Sequence, residues 1–318
     1  MKETFSNNLF EKVDFNYDKK GISDIHIEKD YRSKPKVLPG KFNVLILWEP
    51  KAVNPWSYQK KIINKFQLVI ACGQQRSQNL QINDFILHPY KFEDPLLNEL
   101  NRDKNFAIIN SAKFSANKDS LYGLKRKIIK SLDKKGVDFS LFGDNWHMRK
   151  TKEIRERIWA IRRELSAARI PSLTEAFSHF FYKYPSYKGR VDNKLLELSK
   201  FKYAIVIENE ADFVSEKLFD AIAAKCVPIY VGPDLSMYPD LKKCVVALPA
   251  SHKAILNFIL NNNSETYLQK KRILNQRANY LGDVKKFDLD SNVHKAVISI
   301  ISSYNRWLNV NSIKTLNC

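Results

Sequence analysis

The sequence predicts an α/β protein built on parallel sheets, and three observations carry that prediction. Residues 42–48 (FNVLILW) and 106–110 (FAIIN) are apolar runs of strand length, the mark of strands covered on both faces. Residues 201–233 (FKYAIVIENEADFVSEKLFDAIAAKCVPIYVGP) read as strand, loop, helix and strand, a βαβ unit long enough for a right-handed crossover between parallel neighbours. A hydrophobic fraction of 44% with 12% aromatic residues supports packed cores, and 318 residues leave room for two ordinary domains or one large one.

Taken in order, residues 1–40 are polar and irregular and end in Pro35, Pro39 and Gly40. The strand at 42–48 breaks at Glu49-Pro50, and AVNPWSYQKKIINKF then reads as a loop entering a helix. Residues 67–71 form a second strand and 85–88 a third, which completes a small α/β region. A short helix over 95–102 serves as a linker. The second α/β unit starts with FAIIN and the loop SAKFSANKD, followed by a basic amphipathic helix over 120–132 and a strand over 137–142 that stops at Gly143-Asp144. Residues 149–169 read as a basic helix with Ile154, Ile158, Ile161 and Leu165 on one stripe, and 171–189 as an aromatic irregular segment. After the βαβ unit come a strand at 245–248 and helical patterns over 251–280 and 292–308.

The βαβ unit carries the chemistry. Its first strand, residues 203–207, stops at two polar residues, Glu208 and Asn209. Ser215 is placed to cap the next helix, and Glu216 sits in the first turn, where the macrodipole favours a carboxylate. Leu218, Ala221 and Ile222 continue the helix to Lys225; the second strand, 228–231, closes at Gly232-Pro233. Polar residues at the carboxyl end of a parallel strand, beside a helix N-terminus, mark where open α/β sheets bind ligands, anions above all.

The ordered series Lys202-Tyr203, Ile207-Glu208-Asn209, Ser215-Glu216-Lys217 and Pro228-Ile229-Tyr230-Val231-Gly232 resembles the donor-binding signature of the α-1,3/4-fucosyltransferases, glycosyltransferase family ten. The resemblance runs from about residue 106 to 248 and is much thinner toward the N-terminus. It implies a GT-B-like architecture, two Rossmann-like α/β domains facing a central cleft: an acceptor-side domain over 1–103, a GDP-fucose-binding domain over 104–285 and a helical tail over 286–318. It implies inverting transfer of L-fucose from GDP-fucose to a glycan hydroxyl, in an α-1,3-type linkage on a bacterial surface polysaccharide such as lipopolysaccharide O-antigen. No cofactor is expected beyond the donor; the resemblance leaves room for a divalent ion such as Mn2+ without requiring one.

Such a transfer needs its diphosphate neutralised, its sugar and nucleotide positioned, and a carboxylate to take the acceptor proton. By resemblance Lys217 meets the donor phosphates, Glu216 the ribose hydroxyls, and Glu208 lies beside the donor sugar with Asn209 next to it. Glu208 and Asn209 are expected to face the cleft. A solvated Glu216-Lys217 pair and a turn role for Asn209 are the bland readings. Lys125 and Arg126 either bring a second cation to the phosphates or form a solvated helix face. Arg190 stands for the basic residue that relatives carry upstream of the signature strand. Glu49, in Trp48-Glu49-Pro50, resembles the Glu-(Ser)-Pro motif of the family's base, without its serine; the alternative is a strand-end Glu.

Composition sets the remaining bounds. A net charge of +19 implies an anionic partner, with clusters at 125–127, 149–169 and 270–277. The partners expected are a nucleotide sugar, an oligosaccharide acceptor and peripherally an anionic membrane. Cys72, Cys226, Cys244 and Cys318 are scattered without metal-ligand spacing and fit a reducing compartment; Cys226 reads as a core thiol. The polar start offers no signal peptide and no apolar run nears 18 residues, which points to a chain at the cytoplasmic side of the membrane. The six dispersed histidines imply no zinc site, Gly143-Asp144 lacks a GxGxxG, and Asp288-Leu289-Asp290 lacks the preceding strand of a metal-binding DxD. Two other functions fit less well. One is the same scaffold with another nucleotide sugar. The other is a basic nucleic-acid-binding protein stacking bases on Phe180, Phe181, Tyr182 and Tyr184, against which stands the absence of any nucleic-acid motif.

Overall fold

The computed structural model of the chain describes residues 25–29, 36–72, 84–86, 102–146, 182–261, 264–276 and 280–316, with single helical positions between 155 and 165. Two separate parallel sheets organise it.

The first sheet has the order β1 (Ile25–Lys29), β2 (Phe42–Leu47), β3 (Leu68–Cys72), β4 (Asp84–Ile86). β2 is buried along its whole length, as its apolar run requires. Phe42, Val44 and Ile46 share one face with Leu68, Ile70 and Cys72. Leu45 and Leu47 face the other way, onto Tyr58, Phe66 and Ile63 of α1 (Lys60–Ile63). The expectation of an irregular 1–40 is corrected at β1, which pairs in register from Ile25↔Phe42 to Lys29↔Ile46. An edge strand needs apolar residues on one face only; Ile25 and Ile27 pack on the core while His26 and Glu28 pair with each other at 3.2 Å. Two apolar residues in five are a faint signal.

The second sheet has the order β10 (Val246–Ala247), β9 (Val227–Val231), β8 (Phe201–Ile207), β5 (Lys104–Ile109), β6 (Phe139–Phe142), β7 (Tyr187–Gly189). The chain winds outward from β5 through β6 to β7. It then returns to the opposite side of β5 and winds outward again through β8, β9 and β10. This is the doubly wound Rossmann order, and its direction reverses between β5 and β8. The crevice beyond the carboxyl ends of those two strands is therefore where the topology opens a binding site.

Helices cover this sheet. α2 (Tyr122–Lys134) buries Ile128, Ile129 and Leu132, and α4 (Glu216–Ala223) buries Leu218, Phe219, Ala221 and Ile222. α3 (Lys194–Leu198), α5 (Pro239–Cys244), α6 (His252–Leu260), α7 (Ser264–Asn275) and α8 (Leu281–Lys285) complete the layers. α4 ends in a Schellman turn: Lys225 takes a left-handed φ of 51°, its amide bonds Ile222 O at 2.9 Å, and Cys226 N bonds Ala221 O at 2.9 Å. The turn drops the chain directly into β9; Cys226, just before that strand, is a core thiol with its pKa pushed up to about 12 by burial.

The last helix, α9 (Leu289–Leu316), crosses back to the first sheet. Ala296 and Ile300 are buried against Phe42, Val44 and Ile46, and Tyr304 and Trp307 bring their rings within 5.7 and 5.8 Å of Phe42. Burying Ile300 alone contributes about 2 kcal/mol. The segment read as a tail thus forms one wall of the first sheet's core. The helix read over 95–102 and most of 149–189 lie outside the described residues; of the stripe at 149–169, Ile158 and Leu165 are exposed.

Candidate functional site

The loops that leave β5, β6 and β8 enclose a cleft of about 470 Å³, and Glu49 reaches it from the end of β2. The floor is held tightly. Asn110, just beyond β5, gives its amide to Phe142 O at 2.9 Å and receives the Trp146 indole N–H on its own carbonyl at 2.6 Å. Gly143 is required here: its φ is +122°, and a Cβ would sit 2.1 Å from Asn110 O. Gly143-Asp144 therefore marks the close approach of two strand ends at the cleft.

At the carboxyl end of β8, Glu208 does not face the cleft, contrary to expectation. It is fully buried, with Oε1 accepting from Ser215 N at 2.9 Å and Oε2 from Ser215 Oγ at 2.6 Å. Ser215 occupies the N-cap position of α4 in extended conformation, but its hydroxyl serves Glu208 instead of the helix. The reason is the cost of a buried carboxylate, which exceeds that of an uncapped helix end open to solvent and ligand. Lys217 Nζ donates to Ser215 Oγ at 2.8 Å and stands 3.8 Å from Glu208 Oε2. Burial pushes the Glu208 carboxyl above its ordinary pKa, against the pull of Lys217, the Ser215 bonds and Lys125. Burial also opposes the charge on Lys217, but Glu216, Glu208, Glu49 and Asp220 outweigh it and raise its pKa. Lys217 thus favours its charged form on the cleft wall, hydrogen-bonded to Ser215 above the buried Glu208.

Lys125 and Arg126 are both 3% exposed, which removes the solvated-face reading. Lys125 Nζ donates to Asn209 Oδ1 at 2.9 Å and to Asn110 Oδ1 at 3.4 Å, one layer behind the two asparagines that line the cleft. Desolvation, Lys217 and Lys113 hold its pKa well below the usual lysine value. An anion entering the cleft would favour its charged form. Arg126 turns away: its guanidinium donates to Lys113 O at 2.6 Å and lies over the Phe114 ring, so it braces the loop after β5. Arg190 lines the cleft and pairs with Asp144. Glu216 and Asn209 line it as well.

Glu49 is held by its backbone. Its carbonyl accepts the Tyr58 hydroxyl at 3.0 Å, and Val53 N and Asn54 N fold back onto Pro50 O at 2.8 and 3.0 Å. Its charge is one of those that raise the pKa of Lys217, which lines the same cleft. The site also contains residues that sequence reasoning missed. Lys113 lines the cleft, and Lys194 and Asp220 form an ion pair of 3.3 Å at its edge. Glu210, which ties the Glu49 turn to the β8 loop, could have been noticed as one of three acids in the five residues 208–212.

No family model matches the sequence, and no curated protein matches it. Solved structures do. TarM superposes with a TM-score of 0.53 at 14% identity, over 90% of this chain and 57% of its own. Anabaena Alr3699/HepE, solved with UDP and glucose, gives 0.50 at 10% identity, over 82% of this chain and 72% of its own. An alpha1,3-fucosyltransferase solved with GDP matches at 16% identity over 78% and 68%, with a TM-score of 0.41. The fold is that of the GT-B glycosyltransferases, with two Rossmann-like parallel sheets. The chain spans just over half the length of TarM. Among the described residues, no group of His, Cys, Asp and Glu could hold a metal ion, and no helix is long and apolar enough to cross a membrane.

Proposed function

We propose that this chain is an inverting glycosyltransferase that moves a sugar from a nucleoside diphosphate to a glycan hydroxyl. The observation that carries it is Lys217 at the switch-point cleft, hydrogen-bonded to Ser215 above the buried Glu208, with Glu49 lining the same cleft. The cleft supplies what the reaction needs. The acceptor oxygen bonds to the anomeric carbon as the bond from that carbon to the phosphate oxygen breaks. The electron pair leaves on the nucleoside diphosphate, beside Lys217 and the start of α4. The hydroxyl proton passes to the Glu49 carboxylate. Glu216, at the cleft lip, is positioned for ribose hydroxyls, and Lys125, through Asn209, adds a second cation behind the phosphates.

The donor we propose is GDP-fucose, on the strength of the ordered match from Lys202 to Gly232, and the acceptor a bacterial surface glycan. Calorimetry with GDP-fucose, GDP-mannose and UDP-galactose, on the native chain and on Lys217→Ala, tests this. Selective GDP-fucose binding that the substitution removes is the expected result. Preference for another nucleotide sugar overturns the fucose assignment and keeps the transferase. No nucleotide binding overturns both and turns attention to the +19 charge, for which a salt-dependent nucleic-acid shift is the next measurement.

A further inference from the structure

Glu210 is 2% exposed, and its side chain bonds its own loop to two others. It sits in the loop after β8. Its Oε2 accepts the Ala52 amide at 3.1 Å, from the turn after β2, and its Oε1 accepts from Asn117 Nδ2, in the loop after β5. The surrounding backbone doubles the link to that second loop: Leu121 N bonds Asn209 O at 3.1 Å and Ala211 N bonds Asp119 O at 3.0 Å. Three residues on, Phe213 is buried among Phe42, Val44 and Ile46 of the first sheet. The β8 loop is therefore fixed to the first sheet by an apolar plug and a carboxylate latch. The latch closes on the turn that bears Glu49, three residues from Ala52.

We propose that Glu210 is a positioning residue that holds the Glu49 turn against the nucleotide-side loop, so that its loss slows proton removal and leaves nucleotide binding in place. The inference rests on the transferase reading for its kinetic consequence. Its structural core does not. Both partners of the carboxylate are donors, and the ionised form accepts from both, one on each oxygen. Burial opposes that form, as do Asp212 on the same loop and Asp119 on the facing one, while Lys51 stands beside Asp212. A buried acid kept where burial disfavours its charge fits a group retained for position rather than stability.

The test uses the whole chain with Glu210→Ala and Glu210→Gln. Hydrogen–deuterium exchange, read without substrate, should speed up by tenfold or more over residues 48–58 in the alanine variant, with β8 and α6 unchanged. GDP binding should stay within twofold of the native value. With a donor that turns over, kcat should drop roughly 10- to 100-fold at constant donor KM. Unchanged exchange over 48–58, or a loss that falls on donor KM with kcat intact, overturns the proposal. If the alanine variant does not fold, the glutamine variant, which keeps the size and one acceptor oxygen, carries the same comparisons. A chain that binds no nucleotide removes the transferase reading, and exchange still decides whether the latch exists.

Discussion

Ser215 gives its hydroxyl to Glu208 at 2.6 Å and accepts Lys217 on the same oxygen at 2.8 Å, so one Oγ connects a fully buried carboxylate to the ammonium on the cleft wall. Ser215→Ala removes both bonds at once. Glu208 keeps the Ser215 amide but loses half its partners inside the core. We expect a destabilisation of about 1–3 kcal/mol by urea denaturation, together with weaker nucleotide binding. Full stability with weakened binding would mean that the hydroxyl only orients Lys217.

Lys217→Ala should weaken nucleotide diphosphate binding roughly 100-fold. It also leaves Glu208 without its nearest counter-charge. Burial already raises the Glu208 pKa, and losing Lys217 raises it further. A carboxyl whose folded pKa exceeds the unfolded one contributes stability at low pH that disappears as pH rises through the folded value. The stability deficit of Lys217→Ala should therefore be larger at pH 8 than at pH 5. A deficit independent of pH would show that Glu208 does not depend on Lys217 for its charge.

Glu49→Gln keeps the shape of the turn and removes the proton acceptor. If Glu49 is the base, kcat falls about 100- to 10,000-fold while GDP binding, measured by calorimetry, is unchanged. A variant with normal turnover would return Glu49 to the strand-end role that its position after β2 also allows.

Gly232 closes β9 directly over this cluster. A Cβ there would lie 2.6 Å from the Tyr230 hydroxyl and 2.7 Å from Glu208 Cγ, and both side chains are immobilised in the core. Gly232→Ala should cost about 1–3 kcal/mol through overpacking. A thermal midpoint equal to that of the native chain would mean that the β8–β9 ends have room to separate.

The sequence made the second sheet legible because its strands are buried on both faces and the βαβ unit is long and ordered. Lys217, Glu216 and Asn209 followed from their places beside the β8 end and the α4 start. The roles of Glu208 and Ser215 did not. Their spacing of seven residues fits a helix cap and a cleft carboxylate as well as it fits a buried pair, and only the loop's return decides between them. Arg126 and Lys125 are neighbours on α2, yet one faces the Lys113 loop and the other Asn209, because adjacent helical residues point about 100° apart. β1 escaped notice as an edge strand with two apolar residues. The docking of α9 on the first sheet joins Ile300 to Val44 across some 250 residues, a contact that no local pattern encodes.

Glu210 should make the stability of the chain depend on pH in a recognisable direction. Burial is the main cause that lifts its pKa from the ordinary 4.5 to about 7; Asp212 and Asp119 add to it, and the Ala52 amide and Asn117 oppose it. The folded chain therefore holds this proton more tightly than the unfolded one. The resulting stability is complete below the unfolded pKa and is lost as pH rises through about 7. A lift of this size is worth roughly 3 kcal/mol. Glu210→Gln cannot titrate, so subtracting its urea-denaturation curve from the native one isolates the group from Glu208 and Lys125. Relative to the variant, the native chain should lose on the order of 3 kcal/mol between pH 4.5 and pH 8. A difference that stays flat across that range would place Glu210 in contact with water instead of in a buried latch.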